Sequence, residues 1–192
     1  MAQLCSSAIG LSSESRGWAQ AANYTWTNDE DGTVVLSSAV GGSTRYYIRA
    51  RGSHRLELRE SFTPHTSWRL KLFVSDAGVL ERHLISLLGE EIREDLDLPY
   101  LDLGFAESDL ADGFALDDYA NGHRVLRLND VGPVAAAPDR QLSLVTLVPL
   151  SHFLSWTVAE LKQSFLSVTG APVLRGRCYA AAPPPRWLAA PE

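Results

Sequence analysis

Apolar and polar positions alternate through the middle of the chain. In residues 45–61, RYYIRARGSHRLELRES, Tyr46, Ile48 and Ala50 alternate with Arg45, Tyr47, Arg49 and Arg51. Beyond Gly52-Ser53, Leu56 and Leu58 alternate with Arg55, Glu57 and Arg59. A period of two with one apolar and one charged side marks strands buried on one face. The connection follows from matching those faces. A two-residue loop at Gly52-Ser53 would set Ile48 against Glu57, whereas a three-residue loop, Gly52 to His54, sets Ile48 against Leu58 and Ala50 against Leu56. A one-residue slip turns every side chain over, so the three-residue loop is predicted. It puts Arg49 opposite Glu57 and Tyr47 opposite Arg59 on the outer face, in cross-strand pairs worth roughly 0.2–1 kcal/mol each. Arg49→Ala is then expected to cost well under ~1 kcal/mol, as exposed pairs do.

Residues 67–74, SWRLKLFV, repeat the alternation, with Trp68, Leu70, Leu72 and Val74 on one side and Arg69, Lys71 and Phe73 on the other. Residues 25–38, TWTNDEDGTVVLSS, read as strand, turn and strand, with the turn at Asp31-Gly32 because both residues tolerate positive φ. A short helix before them has Ser12 or Ser13 as N-cap and Trp18 and Ala22 on one side. Leucines at helical spacing follow in residues 75–89, with Ser75 as N-cap and Gly89 as the C-terminal stop. A last helix is predicted from a Ser151 cap, with Leu154, Val158, Leu161 and Phe165 on one stripe and Gly170 beyond. Between the two helices, GFALDD, HRVLRL and QLSLVTLV read as strands, the first two joined by a turn at Asn121-Gly122. The fold class is α+β: a mainly antiparallel meander sheet covered by a few helices on one side. One domain is expected over residues 16–172, with flexible segments at 1–15 and, Ala/Pro-rich, at 173–192.

Composition adds a constraint. The 192 residues are 45% apolar and 21% charged, enough for one core, and the net charge is −6. A negative chain is a poor binder of nucleic acid or anionic membrane, so neither is expected as a partner. The charge is unevenly placed. Residues 45–71 hold seven Lys/Arg against Glu57 and Glu60, a balance of +5, and residues 76–118 hold thirteen Asp/Glu against Arg82 and Arg93, a balance of −11. Either this asymmetry selects a partner, or the acidic segment lies beside the arginines and neutralises them. Cys5 and Cys178 suggest no disulfide framework. The N-terminal residues lack the features of a signal peptide, and no apolar run approaches the ~18 residues of a membrane span. A cytoplasmic location is expected.

Candidate chemistry is sparse. The histidines at 54, 65, 83, 123 and 152 have no metal-ligand spacing, so neither metal nor cofactor is expected. Ser151 beside His152 is not a triad, and Gly41-Gly42 lacks the phosphate-loop frame. Glu90, Glu91, Glu94, Asp95 and Asp97 read as a solvated run. The arginines of residues 45–59 make a spread row rather than a pocket converging on a phosphate. The chain is read as a non-enzyme.

Five stretches in order, GWAQAANYTWTNDEDG, GGSTRYYIRARGSHRLELRES, VLERHLISLLGEEIRE, DLADGFALDD and LSHFLSWTVAELKQSF, span about residues 17–169. Together they resemble the immunity factors that protect actinobacteria from tuberculosis-necrotizing-toxin-like NAD glycohydrolases. The resemblance implies a non-enzymatic antitoxin that binds its cognate toxin domain 1:1 in the cytosol and keeps NAD from the active site. An adaptor or secretion-chaperone-like protein, binding without inhibiting, is the alternative. The resemblance transfers no contact residue, so contacts are inferred from the residues themselves. The polar turn DDYANGHR, with Asp117, Asp118, Tyr119, Asn121, Gly122, His123 and Arg124, is expected to enter the toxin's nucleotide pocket. Asp109 and Asp112, with Asp117 and Asp118, suit a basic cleft.

Overall fold

The computed structural model describes residues 9–39, 43–52, 55–62 and 68–181. Eight strands form one antiparallel sheet: β1 Tyr24–Asn28, β2 Val34–Ser38, β3 Arg45–Arg51, β4 Arg55–Ser61, β5 Arg69–Val74, β6 Phe114–Leu116, β7 His123–Leu128 and β8 Gly132–Pro138. Their spatial order is β1-β2-β3-β4-β5-β8-β7-β6. Four helices, α1 Ser13–Ala21, α2 Ala77–Asp95, α3 Leu142–Phe153 and α4 Val158–Leu166, accompany the sheet, and a small hairpin pairs β9 Leu174–Arg175 with β10 Cys178–Tyr179. Leu36, Ile48, Leu58, Leu72 and Leu126 of the sheet pack with Leu80, Leu84, Leu88, Leu147 and Leu161 of the helices. Each such side chain contributes about 1.5–3 kcal/mol by leaving water. The architecture is the α+β class expected.

The β3–β4 register is the predicted one. Ile48 faces Leu58, Ala50 faces Leu56, Arg49 faces Glu57 and Tyr47 faces Arg59. Arg51 pairs with Arg55, so three residues connect the strands; two of them, 53 and 54, lie outside the described residues.

The next pairing departs from simple alternation. Leu58 faces Leu72, but Arg59 faces Leu70, so a bulge leaves Lys71 over. One extra residue inverts the faces before it. Leu70 therefore shares the outer face with Arg59. Trp68, expected inside with Leu72, instead stacks on Tyr47 of the outer face at 4.7 Å between ring centroids.

Strand and helix are exchanged near residue 140. Residues 141–148, expected as a strand, open α3, and the strand is β8 just upstream. GPVAAAP has no alternation to read; its small residues serve instead to admit α3, beneath which Ala135 and Ala137 are buried. The α3 sequence LSLVTLVPLSHF is apolar nearly all round, as a core helix is, and so hides its helical period.

Several caps also shift. Asp76, not Ser75, caps α2: its Oδ1 accepts the Val79 N–H at 3.0 Å, while the Ser75 hydroxyl donates to its Oδ2 at 2.7 Å. Helix α2 does not stop at Gly89. It ends a turn and a half later in a Schellman motif, with Asp97 at φ 54°, the Leu98 N–H bonding the Arg93 carbonyl and the Asp97 N–H that of Glu94. Ser151 is not a cap but lies buried inside α3, donating to the Val148 carbonyl at 2.6 Å and accepting from the Ala111 N–H at 3.1 Å. Thr157 and Glu160 form the capping box of α4.

Packing also runs past the expected limits of 16 and 172. Ile9 and Leu11 lie against the core, α1 begins at Ser13, and Leu174 is buried. Tyr179 stacks on His152 and donates its hydroxyl to the Gly104 carbonyl at 2.7 Å. Among the described residues no single helix is long and apolar enough to cross a membrane; α3 and α4 pass that test only together, across a bend of 117°.

Candidate functional site

The residues singled out as contacts fall into two groups. The first is the β6–β7 hairpin tip. Asn121 at φ 52° and Gly122 at φ 83° make the expected two-residue turn. Asp117 accepts both of its hydrogen bonds from Arg127 Nε, at 3.0 and 2.9 Å. Asp118 is exposed and Tyr119 half-buried. His123 sits against Phe73, its Nδ1 3.1 Å from the Asn121 carbonyl. Arg124 does not belong to this surface. It points to the helix side with Leu126 and Leu128, is 8% exposed, and pairs with Glu107 at 2.7 Å.

The second group is the 3-10 turn Glu107–Asp109 and the residues after it. Asp109 is engaged by its own turn: its Oδ2 accepts the Ala106 N–H at 3.0 Å, and its carbonyl accepts from His152 Nε2 at 2.6 Å. Burial lowers the pKa of His152, and the neutral ring donates this bond. Asp112 is exposed at the start of β6, whereas Asp117 follows its end. The two stand at opposite ends of β6, Asp112 in the turn that the Phe114 N–H closes onto the Ala111 carbonyl and Asp117 beside Arg127.

The acidic residues of α2 lie on the helix side of the sheet, whereas Arg49, Arg51 and Arg59 lie on the other. On the face without helices, the Arg49 guanidinium lies 4.4 Å from the centroid of the Trp68 ring, which itself stacks on Tyr47. Arg49 faces Glu57 in register but does not pair with it. It donates to Thr33 Oγ1 at 3.1 Å and lies 3.9 Å from Asp31. Glu57, only 1% exposed, is held by Arg51 at 2.8 Å and Arg59 at 3.1 Å. Burial works to raise its pKa, but the hydrogen bond from Arg51 and the charges of Arg59 and Arg51 outweigh it and leave the carboxyl below its ordinary value. Among the described residues, the ion pairs of Arg49, Arg51 and Arg59 are thus to Asp31 and Glu57, not to the acidic segment 76–118. Among the described residues, then, these three arginines are not neutralised by the acidic segment.

The acidic block centres on the end of α2, where one unanticipated residue organises the surface. Arg93 is fully buried. Its Nε donates to the Pro99 carbonyl at 2.8 Å, and its Nη1 to those of Phe165 and Ser167 at 2.8 and 2.7 Å. Its Nη2 donates to Pro99 and, at 3.5 Å, to Val168. The loop after α2 is thereby tied to the end of α4. The segments so tied carry exposed apolar side chains: Leu96 (54%), Tyr100 (69%), Leu166 (49%) and Val168 (63%). The sequence offered one hint of it. Arg93 lies one turn beyond Gly89 on the stripe that faces α4.

Comparison with known proteins gives a consistent picture. Residues 18–173 match the family model described as Immunity protein 61. Two relatives, an immunity factor for TNT from Mycobacterium tuberculosis (strain ATCC 25618 / H37Rv) and an immunity factor for TNT homolog from Mycobacterium bovis (strain BCG / Pasteur 1173P2), are each 25% identical over 173 residues. Each alignment covers 86% of this chain and 93% of the relative. The solved structure of Rv3902c from M. tuberculosis matches with a TM-score of 0.74 at 21% identity, over 90% of this chain and 96% of that one, which shows the shared fold.

Proposed function

The chain belongs to the Immunity protein 61 family, and from that premise we propose that it neutralises a TNT-like toxin by binding its NAD-hydrolysing domain one-to-one and closing the active site to NAD. It does so by binding rather than by catalysis, in the cytosol of the producing cell. The observation behind the reading is the extent of the match: residues 18–173 include all eight strands of the large sheet, so the whole scaffold is that of the family. The relatives named for TNT align over nearly their full length. A binding role also suits the buried polar groups. Arg93 serves four backbone carbonyls, and Arg82 serves those of Trp156 and Gly78 at 3.0 and 2.9 Å. Both hold the scaffold rather than a substrate.

The test is to mix the purified chain with the toxin domain encoded beside it and follow NAD hydrolysis. Inhibition complete at one equivalent is the expected result. A stable complex with hydrolysis intact would favour the adaptor alternative. Neither binding nor inhibition would overturn the proposal.

A further inference from the structure

We propose that the apolar knob at the shared end of α2 and α4 is the part of this chain that enters the toxin's nucleotide cleft, with the Tyr100 ring in the place of a base and the Glu94 and Asp97 carboxylates in the place of phosphates. This rests on the immunity reading above and names the surface that performs it.

The knob is one surface because the two helices run side by side in the same direction. Arg82 reaches the Trp156 carbonyl near their starts, Gly89 meets Phe165 further on, and Arg93 reaches Phe165 and Ser167 at their ends. Carbonyls that converge on one guanidinium lie within a few ångströms of one another. Tyr100, next to Pro99, and Val168 therefore sit on segments that meet, and Leu96 and Leu166 are exposed at the adjoining helix ends. Single exposed apolar residues are ordinary; a contiguous group with a polar rim marks an interaction surface.

The knob is also held rigid before any partner arrives. The donors of a fully buried arginine lock the loop after α2 against the end of α4, which reduces the ordering cost of binding. Its charge favours one kind of partner. Tyr100 lies beside Glu94, whose charge and hydrogen bond raise the phenol pKa, and Asp97 is exposed in its left-handed turn. A cleft that holds a dinucleotide must present cations or N–H donors to the pyrophosphate. An aromatic ring flanked by carboxylates complements such a cleft. The arginine-rich sheet face would be repelled by it, and at the hairpin tip Asp117 is already neutralised by Arg127.

The test measures affinity for the toxin domain encoded beside this chain. Glu94→Lys combined with Asp97→Asn, and separately Tyr100→Ala, should each weaken binding by about tenfold or more. Asparagine tolerates the left-handed conformation at position 97, so the melting temperature should stay near that of the wild type. Asp130→Asn, at an exposed turn position whose positive φ asparagine also accepts, should change affinity by less than about threefold. A non-hydrolysable NAD analogue saturating the toxin should compete with the chain. Wild-type chain that neither binds nor inhibits would overturn the immunity reading and this inference with it. Inhibition by the wild type, with knob variants of unchanged affinity or an analogue that does not compete, would overturn this inference alone.

Discussion

Gly89 of α2 faces the ring of Phe165 on α4 so closely that a Cβ at position 89 would lie 2.6 Å from two of the ring's atoms. The glycine is thus a contact between helices and not the end of one. Phe165 is itself buried and cannot give way.

Gly89→Ala should therefore destabilise the protein, although alanine is the better helix former by about 1 kcal/mol. Overpacking a filled site typically costs ~1–3 kcal/mol. The expected result in urea melts is a lower midpoint with an unchanged slope. A stabilised variant would show that the helices can move apart freely.

Arg93→Ala should cost on the order of 3–5 kcal/mol, because it strips partners from several carbonyls at a helix junction. Arg93→Lys should rescue little of this, since a single ammonium cannot reproduce the planar fork that reaches both segments. Thermal melts of the two variants check it. Full rescue by lysine would mean that charge, and not the fork geometry, holds the junction.

Arg49→Ala should cost about 1–2 kcal/mol, more than an exposed pair would suggest. The stack on Trp68 contributes roughly 0.5–1 kcal/mol and the bond to Thr33 a similar amount. A double-mutant cycle with Trp68→Ala should show coupling of at least ~0.5 kcal/mol. Zero coupling would dissolve the stack as an energetic unit.

His83 should make stability depend on pH. Burial, with the nearby Lys71 charge, lowers its pKa from the ordinary 6.5 to about 4. The unfolded chain then binds the proton more readily than the folded one. His83 imposes no penalty above pH 6.5, and stability falls as pH drops from 6.5 toward 4, by at most ~1.4 kcal/mol per unit. Denaturant melts between pH 5 and 6.5 carry this step together with that of His152, which burial also lowers, and with those of Glu90 and Glu91, which burial raises, so the His83 part is the difference between wild type and His83→Gln. His83→Gln should lessen the loss of stability toward low pH in that range; an unchanged slope would assign it wholly to the other groups.

The inward turn of Arg124 is legible in the sequence, because it shares parity with Leu126 and Leu128. The same parity sets the β3–β4 register, since two strands joined by a short loop must match their own apolar faces. The turn at Asn121-Gly122 is likewise readable from two residues that accept positive φ. Such features depend on neighbours along the chain, and a sequence lists neighbours directly.

Other features required the path of the chain through space. The bulge at Lys71 inverts Trp68 without leaving a mark in the alternation. The β8 strand hides in an Ala-Pro run because its residues are chosen for the room that α3 needs. The carboxylates of α2 stay apart from Arg49, Arg51 and Arg59 because α2 lies on the apolar face of the sheet while these arginines occupy the other. Arg93 meets carbonyls more than seventy residues away along the chain. By itself the sequence determined the strand pattern, the hairpin register, the α+β class and the charge contrast, all of which follow from local periodicity. Which charged side chains are covered, which are paired and which apolar residues remain exposed together was decided only by tertiary packing, because those outcomes depend on contacts between segments remote in the chain.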